Sequence, residues 1–183
     1  MGIQIDGGDG KRRSMGVTED LRANVSSRVN ERIYYHSRDT EDAFSVVASD
    51  ALPSTAEYSM YFQNTNTEKD FVVKAFYTTS VSADVTWKLH KVTGTASGTD
   101  ITPVNLNLQS GLSATAVCKG GAAGVTGLTS AAVIMNWGNG VAYGTQHVNT
   151  HDSLILGKKN AIAVEFDAGT SATSSISMIG YYD

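Results

Sequence analysis

Cysteine is nearly missing from this chain: Cys118 stands alone, so no intrachain disulfide can form and folding needs no oxidising compartment. Long apolar runs are missing too. No window approaches the roughly eighteen apolar residues that span a bilayer, and "MGIQIDGGDGKRRSM" at the start has no apolar stretch of signal-peptide type. Asp6 stands where a myristoylation signal wants Ser or Thr. A soluble protein made in a cytoplasm, with no membrane partner, is therefore expected. No glycine run ends in Gly-Lys-Ser/Thr, so the nucleotide-phosphate loop is excluded as well.

Arginine is absent from most of the chain. Residues 1–40 hold seven basic residues (Lys11, Arg12, Arg13, Arg22, Arg28, Arg32, Arg38) against six acidic ones, whereas the remainder holds seven lysines, twelve acids and no arginine. Arginine suits bidentate pairing with carboxylates at interfaces, so residues 1–40 read as an N-terminal arm whose seven basic residues grip a partner surface. The interspersed acids argue against nucleic acid as that partner. Leu21, Val25, Val29 and Ile33 recur every fourth position after a possible Thr18 cap, so the arm is expected to be extended or partly helical.

From residue 41 the pattern becomes short strands and turns, and a chain of this length can bury a core: about 150 residues bury roughly 70% of their unfolded surface. "YSMYF" places Tyr58, Met60 and Phe62 on one face, and "FVVKAFY" places Phe71, Val73, Ala75 and Tyr77 on one; with "QNTNTEKD" between them they are expected to form a hairpin. "ADVTWKLH" alternates cleanly, Val81, Ala83, Val85, Trp87 and Leu89 against Ser82, Asp84, Thr86, Lys88 and His90, as a half-buried antiparallel strand does. Pro103 opens "PVNLNL", whose Val104, Leu106 and Leu108 give a further inward row. "AIAVEF", with Val164 and Phe166 inward, and "SISMIGYY" supply two closing strands. Residues 110–145, rich in Gly and Ala, read as a long insertion loop decorated by one hairpin around Asn139-Gly140. The fold expected is an all-β antiparallel sandwich over 41–183, with Tyr58, Met60, Phe62, Phe71, Val85, Trp87, Leu89, Val164 and Phe166 as core.

Catalytic patterns are sparse. His147 and His151 in "HVNTH" would share a helical face for a metal, but no third ligand accompanies them. Cys118 before "KGGAAG" has no base to activate it, and Glu165 and Asp167 flanking Phe166 are ordinary outward acids of a strand. No cofactor, no metal and no enzymatic activity are expected.

"DFVVKAFYTTSVSADVTWKLHKVTGTASGTDITPVNLNLQSGLSATAV" resembles a run found in tailed-bacteriophage virion proteins, with an aromatic W-x-L strand, a Gly/Thr turn and a T-P-V-N-x-N segment. "NAIAVEFDAGTSATSSISMIGYY" is similar to the closing strands of that group, and "VSSRVNERIYYHSR" to its leader. The resemblance implies a structural protein of jelly-roll type: a head decoration (cement) protein on the capsid exterior, bound to the major capsid protein and self-associated as a homotrimer. The other implied role is a tail or fibre component, a receptor- or carbohydrate-binding module for which Trp137, Tyr143 and Tyr182 would be sugar platforms.

Overall fold

The computed structural model describes residues 4–6, 12–14, 32–52, 57–83, 85–139, 142–168 and 172–183. The chain forms two compact units, Met1–Glu31 and Arg32–Asp183. In the first, β1 (Gln4–Asp6) pairs antiparallel with β2 (Arg12–Ser14). The second contains helix α1 (Arg32–Arg38) and strands β3 (Ala43–Leu52), β4 (Glu57–Asn64), β5 (Phe71–Ser80), β6 (Val85–Ser97), β7 (Thr99–Asp100), β8 (Val104–Asn105), β9 (Ala116–Gly120), β10 (Thr126–Asn139), β11 (Thr145–Leu156), β12 (Ala161–Asp167) and β13 (Ala172–Tyr182). This unit starts at Arg32, ahead of the boundary read from composition at residue 40, so α1 belongs to the sandwich body.

Two antiparallel sheets pack face to face, one in the order β10-β6-β12-β4-β9-β7 and the other in the order β11-β5-β13-β3-β8. The all-β sandwich is thus the fold, and its core is the layer of side chains between the sheets. Val85, Trp87 and Leu89 of β6 enter it as the alternation predicts, and Trp87, fully buried, meets Phe166 of β12 edge to face with centroids 4.9 Å apart. Met60, Phe62, Phe71 and Val164 are buried in the same layer. The unbroken apolar run of β12 has a separate cause. Its second face is also covered, Ala161 and Ala163 packing with Tyr61, Val92 and Val125, so both faces need apolar side chains.

Several expectations fail at points where the chain departs from a uniform period of two. β4 and β5 are not a hairpin: they lie in different sheets, and the segment between them is a corner. Asn64, fully buried, builds it, donating from Nδ2 to the carbonyls of Lys69 and Leu156 (both 3.0 Å) and accepting from the Asn66 amide (2.9 Å). Crossing there lets Phe62 and Phe71 face each other across the core at 4.5 Å. Tyr58 leaves the inward row because Val164 pairs with Met60 and Glu165 with Tyr58, which makes Ser59 a bulge and turns Tyr58 to the outer face. A second bulge at Lys74 does the same to β5: Phe71, Val73 and Phe76 face the core, while Ala75 and Tyr77 do not.

Val81 and Ala83 precede β6 in a bend, and Val81 is exposed. The row Val104, Leu106, Leu108 is not inward either. β8 has only two residues, Asn105 is the buried one, and Leu108 is 86% exposed. Asn105 turns inward because its amide satisfies the chain around it: Nδ2 donates to the Glu41 carbonyl (2.6 Å), and Oδ1 accepts from the Asn107 amide (2.8 Å). Within residues 110–145 the segments Ala116–Gly120 and Thr126–Asn139 are strands rather than insertion loop, and Gly140 of the expected turn lies outside the described residues. β9 pairs with β4, and β10 pairs with β6 along its length, Trp137 opposite Trp87. Gly94 and Gly127 allow this at one end of the pair, since both have positive φ (105° and 78°) and a Cβ on Gly127 would stand 2.3 Å from the Thr95 carbonyl oxygen.

Trp87→Ala is expected to cost about 3–5 kcal/mol, and Thr86→Ala, on the exposed face one residue away, less than about 0.5 kcal/mol. Denaturant melts of the two variants check the inward assignment of β6.

Candidate functional site

The arginines identified as adhesive fall into two groups. Lys11, Arg22 and Arg28 lie outside the described residues, as do Thr18, Leu21, Val25 and Val29, and Arg12 and Arg13 lie in β2. Arg32 and Arg38 are carried by α1, whose Ile33 packs against Ala43, Val72 and Tyr181 on the outside of the five-stranded sheet. His36 stacks on Tyr181 (centroids 4.2 Å), and its Nδ1 lies 2.8 Å from Asp42 Oδ1. Lys69 Nζ donates to the other Asp42 oxygen at 2.7 Å, and the Thr40 hydroxyl donates to Oδ1. Burial alone would push the Asp42 carboxyl up, but the hydrogen bonds from Lys69, Thr40 and His36 outweigh it and hold the group below the usual carboxylate range. α1 is thus locked to the sandwich, and both its arginines already have partners. Arg32 Nη1 lies 3.4 Å from Asp183, and Arg38 forks onto Asp39 (2.5 and 2.8 Å) with its guanidinium over the Tyr34 ring.

A second polar cluster lies on the outer face of the six-stranded sheet, where β6 runs between β10 and β12. Lys88 sits opposite Glu165, its Nζ 2.7 Å from Glu165 Oε1 and 3.7 Å from Asp167 Oδ2. The two outward acids of β12 therefore share one lysine. His90, two residues along β6, is 4% exposed; its Nδ1 lies 2.8 Å from Ser130 Oγ of β10, its Nε2 3.3 Å from Glu165 Oε2, and Tyr58 meets its ring edge to face. Burial lowers the pKa of His90, outweighing the opposite pull of Glu165, and Lys88 adds to the lowering. The ring is neutral at pH 7.

Serine, histidine and glutamate in this order invite comparison with a hydrolytic relay. Two features decide against it. Nε2 makes no hydrogen bond among the described residues, so its contact with Glu165 is off-axis, and Glu165 is held by Lys88 instead. The cluster is a polar lock joining β10, β6 and β12. Sequence reading saw Lys88 and His90 as outward residues of a strand, but Ser130 carried no signal, because only the register of β10 on β6 brings it to His90.

The remaining candidates separate cleanly. Cys118 is buried, and burial pushes its thiol up to about 12, far from a thiolate at neutral pH. His147 and His151 stand on β11, not on a helix; His147 stacks flat on Tyr77 at 4.6 Å. Among the described residues no three His, Cys, Asp or Glu side chains are grouped to hold a metal ion. Of the three aromatic platforms, Trp137 is tied down by a 3.1 Å bond from Nε1 to Thr78 Oγ1 and by Phe76, and Tyr182 is buried in the core. Tyr143 differs. It is 78% exposed, has a positive φ of 58°, and stands at a cleft of about 310 Å³ lined by the hydroxyl-bearing Ser49, Thr79, Ser80, Thr173 and Ser175. Its amide donates to the Ser80 carbonyl at 2.7 Å, which fixes the ring's loop to β5.

Comparison with protein-family models, with curated proteins and with solved structures finds no match to this chain.

Because His90 titrates at about 6.5 when unfolded and lower when folded, the folded state binds fewer protons between those values. Its contribution to stability is complete above about pH 6.5 and is lost as pH falls through that value toward the folded pKa. Thermal melts between about pH 7.5 and pH 5 should show a smaller loss for His90→Gln than for the parent protein. Equal losses would remove His90 as the titrating group.

Proposed function

We propose that this chain is a non-enzymatic decoration (cement) protein of a tailed-bacteriophage head, made in the host cytoplasm and bound to the major capsid protein on the capsid exterior. The observation that carries the proposal is the partition of charge. Every arginine lies at or before residue 38, ahead of an acidic β-sandwich, and the two that the sandwich holds, Arg32 and Arg38, are already paired. Arg12, Arg13, Arg22 and Arg28, with Lys11, are on this reading the cations that meet a carboxylate-bearing partner. The sandwich supplies a rigid body on which adhesion makes no demand, and the resemblance of its strand-and-turn segments to phage virion proteins supplies the setting. Nothing in such a role needs a cofactor, a metal or a membrane.

One observation favours a second reading, a tail or fibre module that binds a host saccharide. Tyr143 offers a free aromatic face beside a cleft rich in hydroxyls, the combination that stacks on a sugar ring while bonding to its hydroxyls.

Co-sedimentation with heads stripped of their native decoration, across a salt series, distinguishes the two. On the decoration reading, alanine at Arg12, Arg13, Arg22 and Arg28 together lowers retention and flattens its salt dependence, while each single change is mild. Tyr143→Ala leaves retention unchanged on that reading; on the saccharide reading it abolishes binding to host glycan and leaves the melt as it was. Full retention by the fourfold arginine variant would overturn the assignment of adhesion to the arm.

A further inference from the structure

The sandwich ends differently on its two sides. One side closes with β7 and β8, two residues each, whereas the other ends in β10 and β11, of fourteen and twelve residues. A long edge strand presents a row of unpaired amides and carbonyls to any other strand, and folded proteins blunt such edges with charges, prolines, kinks or brevity. β7 and β8 are blunted by brevity. β11 is blunted by a kink: its ladder with β5 breaks between Asn149 and Leu154, His151 and Asp152 take positive φ, and Asp152 lies 3.4 Å from Lys74.

β10 has neither charge nor proline. Residues 120–151 contain no Asp, Glu, Lys or Arg at all, in a chain whose sandwich is otherwise acidic. Bulges on the side facing β6 leave Ala131 and Ile134 out of the ladder, and Val133 and Ile134 are 55% and 42% exposed. Beside them a cleft of about 200 Å³ opens between β10 and β11, lined by Ala132, Ile134, Leu154 and Ile155 together with Lys91 and Asn160. Ile155 at its rim is 56% exposed.

We propose that β10 pairs with β10 of a second copy of this chain, antiparallel about a two-fold axis, so that the six-stranded sheet continues through a dimer. Among the described residues β10 pairs with β6 alone, and the hydrogen-bonding row on its other edge calls for a strand. Charge selects which strand: two acidic sandwiches repel where their acidic faces meet, whereas β10 carries no charge of its own and the charged group beside it is Lys91, so two copies of β10 can pair with no charged side chains opposite one another in the ladder. The fourteen residues are interrupted by irregularities at Gly127, Ala131 and Ile134, and at about 3.4 Å per residue the longest regular stretch, residues 135–139, offers a seam of about 17 Å. The same approach covers Val133, Ile134 and the cleft. Because the contact is with the same strand it closes at two copies and cannot propagate into a fibre.

The test is light scattering on the full chain over a dilution series, with hydrogen exchange of the β10 amides. The mass of two chains at high concentration, falling to one on dilution as β10 exchange accelerates, is expected. Val133→Lys with Ile134→Lys should raise the dimer dissociation constant at least about tenfold by setting like charges opposite one another. Ala131→Lys, at an exposed small residue, should do the same if the double variant folds poorly, and circular dichroism and melts verify the fold of each. Thr86→Lys, outside the edge, should leave the dimer intact. A monomer at every concentration, a trimer, or a dimer that the edge variants leave unchanged would overturn the proposal. So would slow β10 exchange in a monomer, since another segment of the same chain would then cover the edge.

Discussion

The contact between Trp87 and Phe166 fixes where every other element can lie. Each ring belongs to a central strand of the six-stranded sheet, both are fully buried, and the facing sheet must present a complementary layer within reach. Phe44, Phe71, Phe76 and Tyr182 do so from three of its strands. With one cysteine there is no covalent staple to share the task, so the aromatic layer is what offsets the entropy of ordering the chain. It also explains the path of the backbone. From β3 to β6, and again from β10 to β13, successive strands alternate between the sheets, so each connection stitches the two halves of the layer together.

The sequence made the broad architecture legible wherever alternation runs unbroken. β6 is the clearest case, with Val85, Trp87 and Leu89 facing in, and β13 is another, with Ile176 and Met178 separated by serine. It hid the architecture wherever a bulge intervenes. Ser59 and Lys74 are each one extra residue, and each reverses the facing of what lies beyond it; nothing in "EYSMY" or "VVKAF" marks the spot, because the bulge is set by the partner strand. The Gly/Ala-rich 110–145 stretch misled for a different reason. Small residues read as loop, but in β10 they sit at an edge where large side chains are not needed for packing.

The polar sites were legible in proportion to how local they are. The partition of arginine is a property of sequence alone and needs no fold. The His36, Asp42 and Lys69 cluster spans thirty-odd residues and depends on α1 lying against β13, which no periodicity announced. His90, Ser130 and Glu165 come from three strands, and they meet only through two registers that the chain does not spell out. Trp137 looked like a surface aromatic because β10 read as loop, and Tyr182 was mistaken for one although it shares the inward row of Ile176 and Met178 on β13, whereas Tyr143, between strands, kept the exposure expected of a loop residue.

The position of β13 has a consequence for how the molecule comes into being. It lies in the interior of its sheet, hydrogen-bonded to β3 on one side and β5 on the other, although it follows both in the sequence by ninety residues or more. Until Tyr182 has left the ribosome, β3 and β5 have no common neighbour, and the pocket that receives Tyr182 beside Phe44 and Phe71 stays open to water. Vectorial folding from the N-terminal side cannot finish this sheet. The nascent sandwich must wait with two unsatisfied strand margins and an unfilled aromatic layer, which makes the loss of β13 far more damaging than the loss of an equal length of surface chain.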